Sequence, residues 1–170
     1  MRNFILLIIT LSIFQTAFAL KVLSQNVVPG EKIKDLKLGG EMIDIKWILG
    51  FEGEINENID SLRAVIPVDF TEHRIFNYIM SIPVSSITIT EGSITGITIS
   101  NIQEYNKIIA EDYKTEEGIG FFNSPEEVKQ AYGENEIITQ DDIAYLVYED
   151  KGISFGFIDD ELRVISVFKK

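Results

Sequence analysis

Leu36-Lys-Leu-Gly-Gly-Glu-Met-Ile-Asp-Ile-Lys-Trp-Ile-Leu-Gly50 aligns without a gap on Ile119-Gly-Phe-Phe-Asn-Ser-Pro-Glu-Glu-Val-Lys-Gln-Ala-Tyr-Gly133. In each copy a short apolar run leads into a predicted helix. Ile45 or Val128 precedes Lys46 or Lys129, and Gly50 or Gly133 closes the segment. A recurrence of this kind bears on fold more than any single residue does. The first helix is predicted from Met42, with Met42, Ile45, Ile48 and Leu49 on one face and Gly50 as the stop. The second is better marked. Ser124 and Glu127 form a capping box, Pro125 fits the first helical position, and Val128, Ala131 and Tyr132 make the apolar face.

Each predicted helix is followed by an alternating hairpin. Ile87 and Ile89 match Phe155 and Phe157, while Ile94, Ile97 and Ile99 match Leu162, Ile165 and Val167. The turns fall at Glu91-Gly92 and Asp159-Asp160. The helix copies are offset by 83 residues (119 − 36) and the hairpins by 68 (155 − 87), so the first copy carries 15 extra residues (83 − 68). Apolar residues alternating with Thr and Ser predict hairpins with one buried face. Further strands are predicted at 62–68, 73–82, 143–148, 153–157 and 161–168, with a polar loop at 51–61. Residues 101–113 read as a short helix whose tail also fits a strand. Helix then antiparallel meander, twice, predicts an α+β domain over 36–170: unit one at 36–101, a linker at 102–117, unit two at 118–168.

The residues before it read differently. Met1-Arg2 is a short positive start, 4–14 is almost unbroken apolar, and Gln15-Thr-Ala-Phe-Ala19 has the small-x-small pattern of a cleavage site. Residues 1–19 are therefore expected to be a removed export signal, with Leu20 the mature start and 20–35 an extended arm turning at Pro29-Gly30. An exported protein, periplasmic or secreted, is the expectation. With no cysteine, disulfides, thiolate catalysis, cysteine metal sites and a lipid-modified cysteine are excluded. Net charge is 15 − 27 = −12, or 14 − 27 = −13 without Arg2. That balance argues against nucleic acid and anionic membrane as partners, since both need Lys and Arg.

Catalytic chemistry has little to stand on. His73 is the lone histidine, is expected at the surface beside Arg74, and has no Gly-x-Ser-x-Gly elbow to serve. The acidic pairs Glu116-Glu117, Glu126-Glu127, Asp141-Asp142 and Asp159-Asp160 sit at turns or helix starts, where acids solubilise and favour the helix dipole. Asn56-Glu-Asn-Ile-Asp60 alternates oxygen ligands but lacks the glycine and distal glutamate of a calcium loop. Gly118-Ile-Gly120 lacks the lysine of a phosphate loop. Neither a metal nor a cofactor is expected. The adjacent aromatics Phe121 and Phe122 cannot both face inward if their segment is extended, which marks one of them as a contact residue.

The pattern Gly-Ile-Gly-x-x-x-Ser-x-Glu-Glu-Val-x-x-x-Tyr-Gly at 118–133, with Ile153-Ser-Phe-x-Phe and Leu162-Arg-Val-Ile-Ser-Val after it, resembles a superfamily of exported bacterial domains. That superfamily includes the β-lactamase inhibitor proteins and the small outer-membrane-assembly lipoproteins of the SmpA/OmlA type. The resemblance covers 36–50, 86–100 and 118–168, and it implies a binding habit rather than a named target. The inhibitors carry disulfides and the lipoproteins an N-terminal cysteine, both absent here, so no family residue is transferred. The expected role is a non-catalytic module binding another envelope or secreted protein. Candidate contacts are Phe121, Phe122, Glu91, Asp159 and Asp160. The alternative is an inhibitor or immunity factor that blocks a secreted enzyme through acidic loops.

Overall fold

A computed structural model describes residues 26–50, 53–56, 63–76, 84–101 and 112–170. The expected leader, most of the expected helix at 101–113 and most of the calcium-like stretch lie outside these residues. Helix α1 (Met42–Leu49) and helix α2 (Pro125–Tyr132) form where their caps predict. Asp44 accepts from the Glu41 N–H at 3.0 Å to start α1. At α2 the Ser124 and Glu127 side chains exchange bonds with each other's backbone N–H. The bond from the Ser124 backbone holds the Glu127 carboxyl below its ordinary value.

The α+β class with two helix-plus-meander units is overturned. Among the described residues two eight-residue helices stand against eleven strands, and the protein is mostly β. Strands β1 (Val27–Val28), β2 (Lys32–Ile33) and β3 (Leu36–Lys37) form a small antiparallel sheet, the first two inside the expected arm at 20–35 and the third at the start of the expected first unit. The remaining strands are β4 (Glu54–Asn56), β5 (Glu72–Ile75), β6 (Val84–Thr90) and β7 (Ser93–Ser100), then β8 (Ile137–Gln140), β9 (Ile143–Tyr148), β10 (Ile153–Ile158) and β11 (Glu161–Phe168). They make one continuous antiparallel sheet in the order β4-β5-β6-β7-β11-β10-β9-β8. Two of the element assignments differ as well. The expected loop at 51–61 contains β4, and the expected strand at 62–68 forms no ladder over its described part.

One face of the sheet is the expected apolar one. Ile87, Ile97, Ile99, Phe155, Ile165 and Val167 are buried there with Ile45 and Leu49 of α1 and Val128 and Tyr132 of α2. The helix entrances are tied down by paired backbone bonds. Gly39 and Gly40 bracket Ile94 at 2.8 and 2.9 Å, and Phe122 and Asn123 bracket Leu162 at 3.0 and 2.9 Å. The small sheet closes the same core with Val27, Ile33 and Leu36, and Gly30 N–H donates to Gly152 at 3.0 Å.

The other face was expected to be solvated, because it carries Ser and Thr. It is buried instead: Thr88, Thr98, Ser154 and Ser166 are at most 2% exposed. Residues 63–71 cross it as a strap. Ser154 Oγ donates to Val65 O at 2.7 Å, Thr90 Oγ1 to Asp69 O at 3.0 Å, and Thr71 N–H to Ile89 O at 2.9 Å. Ala64, Ile66 and Phe70 pack around Val164. Gly96 makes room for the strap, since a Cβ there would lie 2.9 Å from Ile66. The hydroxyls satisfy one another as well as the strap, with Thr95 Oγ1 donating to Thr88 at 3.1 Å and Thr98 and Ser166 paired at 2.9 Å.

Candidate functional site

The candidate contact residues scatter. Glu91 is exposed at the β6–β7 tip, and Asp159 and Asp160 are exposed at the β10–β11 tip. Strands β7 and β11 are antiparallel, with Gly96 opposite Phe168 and Ser100 opposite Val164. The two tips therefore leave the sheet from opposite ends and do not share a contact surface. Phe121 is 7% exposed and stacks edge-on against Tyr113. Phe122 is half-buried against the same core, with the Arg163 guanidinium 4.9 Å from its ring centre. The segment is a turn rather than a strand, and the positive φ of Phe122 (71°) lets both rings reach the core. The alternation that would have expelled one ring does not apply.

What joins Asp159-Asp160 is Asp141-Asp142. Phe157 pairs with Ala144, so the β8–β9 and β10–β11 tips project from the same end of the sheet. All four aspartates are exposed and have positive φ, the backbone of two-residue hairpin turns that usually favours Asn and Gly. None of the four forms an ion pair with a cation among the described residues. The adjacent Tyr145 hydroxyl is pushed up to about 12, first by burial and then by the Asp141 charge.

Exposed apolar surface is concentrated elsewhere. On α1, Ile43 is 53% and Trp47 81% exposed, one helical turn apart on the side away from Ile45 and Leu49. The sequence reading passed over both. The signal was present: α1 carries apolar residues beyond the face its packing needs, and a helix apolar on all sides calls for a cover. Ile55 on β4 and Ile137 and Ile138 on β8 are also exposed, and these two strands are the edges of the large sheet.

Interior tyrosines hydrogen-bond within the protein. Tyr132 donates to Glu117 Oε2 at 2.7 Å, and Tyr148 donates to Gly133 O at 2.8 Å. Burial pushes the Tyr132 hydroxyl far up. Burial also works to raise Glu117, but bonds from Tyr132 and Thr115 outweigh it and hold that carboxyl below its ordinary value. His73 is 1% exposed rather than at the surface, edge-on to Phe70 of the strap, and burial lowers its pKa. Among the described residues no group of three or more His, Cys, Asp or Glu side chains is placed to hold a metal ion. No protein-family model, curated protein or solved structure matches the chain.

Proposed function

We propose that this chain is an exported, non-catalytic module that binds another protein of the envelope or secreted fraction. The observation that carries the reading is Trp47. A tryptophan left 81% exposed beside Ile43, on a helix whose inner face is already packed, is a costly surface unless a partner covers it. Burial of the lone His73 supports the non-catalytic part, and the signal-like stretch at 1–19 supports export. The test is capture from envelope and secreted fractions with tagged protein starting at Leu20, in parallel with Trp47→Ala. The expected result is one dominant partner retained by the first bait and lost by the second. Equal retention by both baits, or none by either, overturns the assignment of this face.

A second reading, inhibition of a basic secreted enzyme, is favoured by the four aspartates at one end of the sheet. It expects salt-sensitive association that weakens when Asp159 and Asp160 become Asn. Binding unchanged by salt or by that double substitution removes it.

A further inference from the structure

Strand β8 ends the large sheet, and among the described residues no strand pairs with its outer side. All four of its residues are exposed, including Ile137 at 43% and Ile138 at 44%. Its register with β9 pairs Gln140 with Ile143 across the two-residue Asp141-Asp142 turn, then Thr139 with Ala144, Ile138 with Tyr145 and Ile137 with Leu146. In such a hairpin the residues flanking the turn exchange hydrogen bonds and the pairs then alternate. Gln140 and Ile138 thus bond inward, while Ile137 and Thr139 turn their N–H and C=O outward. Where the ladder to β9 stops, the Asn135 side chain donates to the next carbonyl, Val147 O, so the inner side stays tied to β9 beyond the strand.

Edges of this kind are usually blunted by lysine, proline or a bulge. Here none of these is present in Ile137-Ile-Thr-Gln140, and two β-branched isoleucines offer one apolar side chain to each face. The surroundings select the occupant. Glu136 precedes the strand and Asp141 and Asp142 follow it, with Asp159 and Asp160 at the same end. A second copy of the chain would bring an identical set of acids against these across a short ladder, which like-charge repulsion disfavours. We propose that the β8 edge takes an extended, lysine- or arginine-bearing segment of another protein as an added strand. Main-chain bonds to Ile137 and Thr139 supply the ladder, the isoleucines supply apolar contact, and the flanking acids set the sign of the partner. This rests on the protein-binding reading and adds the partner's chemistry, on a surface separate from Trp47.

The test uses the full chain from Leu20 and a capped peptide of about ten residues alternating lysine and valine, with a glutamate–valine peptide as control. The lysine peptide is expected to bind and to slow hydrogen exchange at the Ile137 and Thr139 amides. Thr139→Pro removes an outward N–H without touching a bond to β9, and it is expected to weaken binding about tenfold. Asp141→Asn with Asp142→Asn keeps residues suited to the turn, and about fivefold weaker binding is expected at low salt, vanishing at high salt. No binding, equal binding of both peptides, or protection away from β8 overturns the proposal. A concentration-dependent dimer abolished by Thr139→Pro would assign the edge to a second copy and overturn it equally. If the peptide fails while Trp47-dependent capture succeeds, the edge assignment falls and the binding function stands; if both fail, both fall.

Discussion

Gly152 has φ +70°, and a Cβ there would lie 2.5 Å from Phe168 O and 2.7 Å from the Gly30 Cα. Both objections are backbone, so neither can swing aside. Gly152→Ala is expected to cost more than about 1 kcal/mol, read as a lower urea midpoint at unchanged slope. His73 makes a prediction in pH. Its folded pKa is lowered by burial from the ordinary 6.5, so the unfolded chain takes up a proton first as pH falls. Stability is full above about 6.5 and declines below it until the folded pKa is reached. Melting temperatures across that window should show the decline, and His73→Gln should remove it. The sequence placed His73 at the surface because it stands next to the charged Arg74 at the start of a strand, with Glu72 on its other side. Those two face the other way and pair with each other at 2.6 Å, and what covers His73 is a strap with no periodic signal of its own.

At the scale of elements, legibility followed chemistry that acts locally. Helix α2 could be read to the residue, because a capping box is a short-range device: Ser124→Ala is expected to cost about 1 kcal/mol in a denaturant melt. Hairpins β6–β7 and β10–β11 were legible for the same reason, their alternation and turns lying within a few residues. Strand β8 was not. Its apolar residues are adjacent rather than alternate, and an edge strand exposed on both faces need not show the period-two pattern. Residues 62–68 were read as a strand, whereas their described part belongs to the strap, with Ser154 of the sheet beneath donating to Val65 O. Trp47 shows the same limit from the functional side. Its substitution to Ala is expected to shift the melt by less than about 0.5 kcal/mol, since it contributes to no described packing.

For the whole molecule, the class was misread because two local repeats were counted as two layered units. Nothing in either hairpin announces that β7 will pair with β11 and merge every long strand into one sheet. That pairing sets Thr98 and Ser166 opposite each other in register, hydroxyl to hydroxyl, 68 positions apart in sequence. It has a kinetic consequence. Hairpins closed by two-residue turns form early, whereas joining Ser100 of β7 to Val164 of β11 closes a loop of 63 residues (163 − 100), roughly thirty times longer, at an entropic cost about 3 kcal/mol higher. The seam is therefore expected to be the rate-limiting contact of folding. Thr98→Val with Ser166→Ala should slow refolding and leave the unfolding arm of the chevron nearly unmoved, while Ser124→Ala should do the reverse. Until that seam closes, β7 and β11 are themselves open edges, and the nascent chain carries for a time the same exposure that the finished protein keeps only at its margins.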